Sequence, residues 1–148
     1  MSADLQPLVA THVLEYPYTR SVGLVIGRFL GALRDGRIEG VKTRDGRVLV
    51  PPLEYDPDTG EAVTNEWVEV GQAGVVTTWA WIAEPRSNNP QQRPFAWALI
   101  QLDGSDTAML HLVDADEQAM RTGMRVRARW RGEPQGLITD IEAFEPEV

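Results

Sequence analysis

The sequence predicts a mainly β protein: one N-terminal helix, a pair of turn-capped hairpins, and a five-stranded barrel filling the C-terminal half. Three observations carry that expectation. Residues 124–131 alternate without a break, Met124, Val126, Ala128 and Trp130 against Arg125, Arg127, Arg129 and Arg131, the period-two pattern of a half-buried strand. Runs rich in β-branched and aromatic residues recur from residue 74 to residue 144, separated by Gly, Pro and Asp turns. Residues 21–35 instead repeat apolar side chains at three- and four-residue steps, the period of a helix.

Composition sets the bounds. At 148 residues, 43% hydrophobic and 24% charged, the chain has enough apolar material for the core of one ordinary domain. The net charge of −8 argues against general nucleic-acid binding, which calls for a basic footprint. No apolar run approaches the roughly 20 residues that span a bilayer. The start, MSADLQPLVATHVLEYPYT, lacks the charged-then-apolar layout of a signal peptide, so a cytoplasmic protein is expected. The absence of cysteine agrees with that compartment.

Taken in order, residues 1–20 carry Pro7 and Pro17 and read as an extended arm that is ordered only against something it lies on. The helix follows, its stripe made of Val22, Val25, Ile26, Phe29, Leu30 and Leu33, with Ser21 as N-cap and Gly36 as stop. Gly23, Gly27 and Gly31 fall four apart and stack as a groove without side chains. Interior glycine costs about 0.5–1 kcal/mol against alanine, so a close backbone contact is expected there, either within the chain or with a partner subunit. Next come two polar turns, Thr43-Arg44-Asp45-Gly46 and Asp56-Pro57-Asp58-Thr59-Gly60, flanking Val48-Leu49-Val50-Pro51-Pro52. Two turn knuckles around a short apolar run form the outline of a zinc ribbon. An EF-hand loop at Asp56 and Asp58 is disfavoured, because Gly60 already occupies its fifth position and Pro57 stiffens its start.

From Glu66 the pattern is that of strands. Trp67, Val68 and Val70 lead to Gly71, and the strands are expected at 74–82, 95–102, 108–113, 124–131 and 137–144. Residues 114–122 read as a short helical turn between the third and the fourth. Five strands with a helical insert at that point is the order of an OB-fold, a small Greek-key barrel, with an SH3-like barrel or split sandwich as alternatives. The expected organisation is therefore an arm (1–20), a helix and metal-free, rubredoxin-like zinc-ribbon region (21–66), and an OB-fold domain (67–148).

The layout of helix, turn–VLVPP–turn, the link Trp67-Val68-Glu69-Val70-Gly71 and the closing segments Gly123–Val126 and Ile141–Pro146 resembles the acyl-CoA-associated proteins of "domain of unknown function 35". The resemblance covers about residues 16–146 and is most specific at Leu49–Pro52 and Glu54–Glu61. Many members carry Cys-x-x-Cys at both turns and bind zinc. Here Thr43 and Asp45 occupy the first knuckle and Asp56 and Thr59 the second, so zinc is not carried over and no metal is expected. The resemblance implies a small partner of thiolase-like enzymes, in particular of the lipid-transfer-protein type aldolases of bacterial steroid side-chain degradation. It places catalysis on that thiolase-fold partner and a coenzyme A thioester in the complex, with no cofactor bound by this chain.

The residues themselves offer no catalytic constellation. There is no thiol, no Gly-x-Ser-x-Gly elbow and no phosphate loop with its lysine. His12 and His111 are far apart, and His111 alternates with Met109 and Val113 as a core or interface histidine does. The arginine stripe Arg125, Arg127, Arg129 and Arg131 admits three readings: a solvated face paired to acids such as Glu133, Asp140 and Glu142, a seam with a partner subunit, or a contact to coenzyme A phosphates. Trp67, Trp79, Trp81, Trp97 and Trp130 read as core or interface anchors. On an OB-fold they could also stack single-stranded nucleic acid, the alternative to a subunit role. The expected partner interface is Phe29, Leu33, Pro51, Pro52, Leu53 and Tyr55.

Overall fold

The computed structural model describes residues 7–148. Residues 1–6 of the expected arm lie outside the described residues, and residues 7–22 form no helix or strand. Helix α1 (Gly23–Arg34) starts two residues later than the sequence pattern suggests. Ser21 is not its N-cap, although its hydroxyl accepts from the Gly23 N–H at 3.3 Å. The stop is as expected. Gly36, at φ +72°, donates to Leu33 O, and Arg37 donates to Ala32 O. These paired bonds form a Schellman cap, which requires the left-handed conformation that glycine adopts without a Cβ penalty.

Three short strands follow, β1 (Glu39–Lys42), β2 (Val48–Leu49) and β3 (Trp67–Glu69), in a sheet ordered β2-β1-β3. The segment expected as a zinc ribbon is thus part of a small antiparallel sheet whose far strand comes from Trp67–Glu69. The second turn is closed by a single bridge between Tyr55 and Ala62. A two-residue strand cannot hold by itself. The open edge of β2 is covered by the loop beyond Leu102: Val48 N–H donates to Asp106 and Val50 N–H to Thr107, both at 2.8 Å.

The barrel comprises β4 (Ala73–Ile82), β5 (Phe95–Leu102), β6 (Met109–Val113), β7 (Arg125–Trp130) and β8 (Ile141–Pro146), closed in the order β4-β5-β6-β8-β7. A 3-10 turn at Glu117–Ala119 occupies the predicted helical insert. Closure comes from β7 pairing with β4, Ala73 opposite Arg127 and Val75 opposite Arg125. The β6–β8 seam is the thinnest, with one parallel pair, Val113 opposite Phe144. Gly74 lies where β4 and β5 approach closely. A Cβ there would sit 2.3 Å from Gln101 O, so no other residue fits without backbone movement.

The alternations hold. Ala96, Ala98, Ile100 and Leu102 line the barrel interior with Val126, Ala128 and Phe144, and the arginines of β7 point outward. One strand expectation fails: the last strand does not start at Leu137. Residues 138–140 form a 3-10 turn, and β8 begins at Ile141. The cause is Asp140, whose buried carboxylate accepts from the N–H groups of Gln135, Gly136 and Leu137 at 2.7–3.2 Å and folds the segment back on itself. Burial pushes its carboxyl up, but these three donors outweigh burial and hold it below the ordinary carboxylate range.

Helix and barrel share one core. Phe29 and Leu33 pack with Val48, Val50, Val70 and Val76. A polar link reinforces the contact: Gln72 donates to Gly36 O and accepts from Trp130 Nε1, both at 2.9 Å.

Candidate functional site

The arginine stripe runs along the outer face of β7, and two of its four members are already paired with acids of the chain. Arg125 forms a two-pronged pair with Asp103, 2.6 Å at each prong, and reaches Glu147 at 2.8 Å. Arg129 is held by Glu142 at 2.7 Å, Glu145 at 3.0 Å and Asp114 at 3.1 Å. These carboxylates raise the pKa of both guanidinium groups further, fixing their charge. Of the three acids expected to pair with the stripe, only Glu142 does so. Asp140 is turned inward as a cap, and no ion pair joins Glu133 among the described residues. Arg131 makes a long contact to Gln135 at 3.4 Å, and Arg127 has no carboxylate within 4 Å among the described residues.

Beside Arg129 opens a basin of about 800 Å³ lined by Trp81, Arg93, Asp114, Glu117, Glu145 and Pro146. Its two arginines share Asp114, with Arg93 in direct contact and Arg129 at 3.1 Å, so both cations are paired within the chain and the lining carries an excess of acids. The outer face of β5 and β6, with its flanking loops, is where OB-folds bind chain-like ligands. Here it presents Leu99, and Trp97 and Leu110 line an apolar hollow of about 150 Å³. Trp97 packs edge-on against Phe95, ring centres 5.3 Å apart, and the arginines stand on β7 instead. A stacking platform with interleaved cations is not formed on that face.

The two histidines are separated as the sequence suggests. His12 lies in the exposed arm. His111 is buried and edge-on to Phe144, and its Nδ1 accepts the Leu112 N–H at 2.9 Å, which leaves the proton on Nε2 facing Ile138 O. Desolvation pushes its pKa down, and the neutral ring is a packed core group.

What remains is a surface. Of the expected interface residues, Phe29 and Leu33 are only 3% and 0% exposed, inside this chain's own core, and Pro52 is buried. The C-terminal part of the helix stripe packs into the chain's own core, whereas Val22 is exposed and Ile26 half-buried. Pro51, Leu53 and Tyr55 are exposed. They adjoin residues that sequence reasoning missed. A groove of about 480 Å³ runs between Arg20, Ser21, Val22 and Ile26 on one side and Pro52, Leu53 and Glu54 on the other. Near it in the chain stand Tyr16, Tyr18 and Leu24, the last 92% exposed. A Cβ added at Gly31 would meet nothing within 4 Å, so the glycine groove of α1 is not filled there by another backbone of the described chain. The sequence signal was available: aromatic and aliphatic residues crowd an arm that has no periodicity of its own.

The two polar turns face each other across Arg47, a residue that carries no sequence motif. Its guanidinium contacts Asp45 at 3.0 Å, Asp56 at 2.6 Å and Asp58 at 2.6 Å. Glu39 is a second buried acid, gripped by Arg28 at 3.0 Å and Arg37 at 2.7 Å, and Arg28 also lies 4.6 Å above the Trp67 ring.

This geometry has counterparts. Residues 67–131 match the family model described as ChsH2, C-terminal OB-fold domain. A DUF35 domain-containing scaffold protein of Pyrococcus furiosus is 29% identical over 114 residues, covering 74% of this chain and 83% of its own length. Among solved structures, a DUF35-family protein of unknown function from Sulfolobus solfataricus superposes with a TM-score of 0.62 at 19% identity, over 85% of each chain. A chain of the structure described as Ltp2-ChsH2(DUF35) aldolase gives a TM-score of 0.66 at 18% identity, over 88% of this chain and 100% of that one. With the closed five-stranded barrel, the N-terminal helix and these matches together, the chain has the fold of the DUF35 proteins and is similar to them in sequence, its barrel matching the ChsH2 C-terminal OB-fold domain.

Proposed function

We propose that this chain is an accessory subunit of an aldolase complex, docking on a thiolase-fold, lipid-transfer-protein type enzyme that itself carries the carbon–carbon bond cleavage. The observation that carries the reading is the groove at the start of α1, lined by Val22, Ile26, Pro52 and Leu53, together with the exposed Tyr16, Tyr18, Leu24 and Tyr55 that neighbour its lining residues in sequence. Exposed apolar side chains gathered in this way beside a groove are a feature of protein contacts. Two related proteins support the kind of contact: one is described as a scaffold, the other forms part of an aldolase. The substrate in such a complex would be a coenzyme A thioester, with retro-aldol cleavage in steroid side-chain degradation as the proposed reaction. Arg127 and Arg131, the stripe members without a carboxylate partner among the described residues, are the ones left to meet a phosphate or a partner's acid.

Co-expression with a thiolase-fold enzyme tests this. The two chains should co-purify as one species, and Leu53→Glu combined with Tyr55→Glu should abolish retention while leaving the fold of the small chain intact. A monodisperse, soluble monomer that no such enzyme retains would overturn the reading. Single-stranded nucleic-acid binding, the alternative function, would instead show as salt-sensitive oligonucleotide binding lost in Arg127→Ala.

A further inference from the structure

The resemblance to zinc-binding relatives raises the question of whether the two turns suit a metal, and the donor set answers it. Zinc knuckles present thiolate sulfur or imidazole nitrogen. Here the corresponding positions hold the oxygens of Thr43, Asp45, Asp56 and Thr59, and these groups already have partners. The Thr43 hydroxyl contacts Asp45 and accepts the Arg47 N–H at 3.0 Å. Asp56 accepts the Asp58 N–H at 2.9 Å, and Thr59 accepts that of Glu61 at 3.2 Å. The residues do not fit zinc.

We propose that the Arg47 guanidinium is a built-in cation that fastens the two turns in the position a metal would take. Its three nitrogens each meet a different carboxylate: Nε meets Asp45 at 3.0 Å, Nη1 meets Asp58 at 2.6 Å and Nη2 meets Asp56 at 2.6 Å. One carboxylate comes from the first turn and two from the second. A planar fork with donors pointing three ways satisfies this arrangement, and an ammonium point charge does not. Hydrogen bonds from Thr43 and Asp58 lower the carboxyl pKa of Asp45 and Asp56 respectively, and Arg47 adds to both, so the acids remain ionised for the clasp.

The clasp has a consequence for docking. Arg47 directly precedes β2 and Asp56 directly follows Tyr55, nine residues on, so their contact closes a loop whose crest carries Pro51, Leu53 and Tyr55. Arg47 is therefore a positioning residue for that crest, a role that rests on the docking reading above. The clasp itself does not depend on it.

Amide hydrogen exchange on the full chain separates these claims. In Arg47→Ala, protection at Asp56 and Gly60, whose N–H groups bond to Glu61 O and Asp56 O at 2.8 Å, should fall by about tenfold while barrel amides keep theirs. Free guanidinium ion, far below denaturing concentration, should restore it, and Arg47→Lys should not. Chelator treatment of the unaltered protein should change nothing. Unchanged protection in Arg47→Ala, full rescue by lysine, or loss of protection on chelation would overturn the clasp. Should Arg47→Ala unfold entirely, Asp58→Asn, which removes one exposed carboxylate, gives a smaller loss at the same amides. If the clasp opens as expected and a thiolase-fold partner still binds with unchanged affinity, the docking role of residues 51–55 fails and the clasp stands.

Discussion

The barrel and the region before it solve opposite problems. In the barrel, each of the five strands has a neighbour on both sides, and the interior is apolar from Val76 to Phe144. Residues 7–70 have one helix, three strands of two to four residues, and turns fixed by ion pairs at Arg47 and Glu39. A closed sheet removes its own edges, whereas a short open sheet must be covered or clasped. The first region accordingly leans on the barrel at Phe29, Leu33 and the β2 edge, and leaves Tyr16, Tyr18, Leu24, Leu53 and Tyr55 exposed. Under the proposed docking role, stability resides in the second region and recognition in the first.

The sharpest way to break that division is to damage each region in turn. Phe144→Ala empties a fully buried site at the β6–β8 seam and should cost about 3–5 kcal/mol in denaturant unfolding, if the protein still folds. Gly74→Ala should follow at about 1–3 kcal/mol, because its Cβ meets the β5 backbone and cannot be relieved by a rotamer change. Asp140→Ala removes the shared acceptor of three part-buried N–H groups and should cost about 1–3 kcal/mol. Because that carboxyl is held below its ordinary 3.8, the stabilisation is fully present above the unfolded value and disappears only as pH falls through the lowered folded one.

The same division explains which parts of the molecule are legible in the sequence. The barrel is legible because a strand with one face buried repeats every second residue, and Met124–Arg131 shows it plainly. The helix is legible for the same kind of reason, but periodicity tells that a stripe exists and not what it faces, so Phe29 and Leu33 belong to the core and not to the expected interface. Leu137–Asp140 has a strand's composition, yet one carboxylate bonding backward to three amides overrides it. The pairing of Trp67–Glu69 with Glu39–Val41, and the convergence of Asp45, Asp56 and Asp58 on Arg47, are contacts between separate segments with no local signature. The candidate site is half visible: Pro51, Leu53 and Tyr55 follow from the turn-bounded segment, and the arm beside them does not.

A smaller effect tests the barrel's interior by titration. His111 is buried neutral, with its folded pKa pushed below 6.5 by desolvation. The unfolded chain therefore takes up the proton first, so this contribution is complete above pH 6.5 and declines as pH falls from there toward the folded value. His111→Gln, which cannot titrate, should flatten the unfolding midpoint against pH across that window. A wild-type curve already flat below pH 6.5 would place the imidazole in water instead of against Phe144.

The smallest expected change in stability is the most telling about function. Leu24, at 92% exposed, and Tyr18, at 82%, make little use of their apolar area within the chain. Leu24→Ser and Tyr18→Ser should each shift the unfolding free energy by no more than about 0.5 kcal/mol, the range for surface positions without a structural task. Both should also improve solubility of the chain purified alone, since each removes exposed apolar surface. In a complex with a thiolase-fold partner the order inverts: these two substitutions should weaken retention more than any equally mild change on the barrel's outer strands. If Leu24→Ser destabilised the isolated chain as strongly as Gly74→Ala, the arm and helix face would belong to the fold itself, and the separation of recognition from stability would fail.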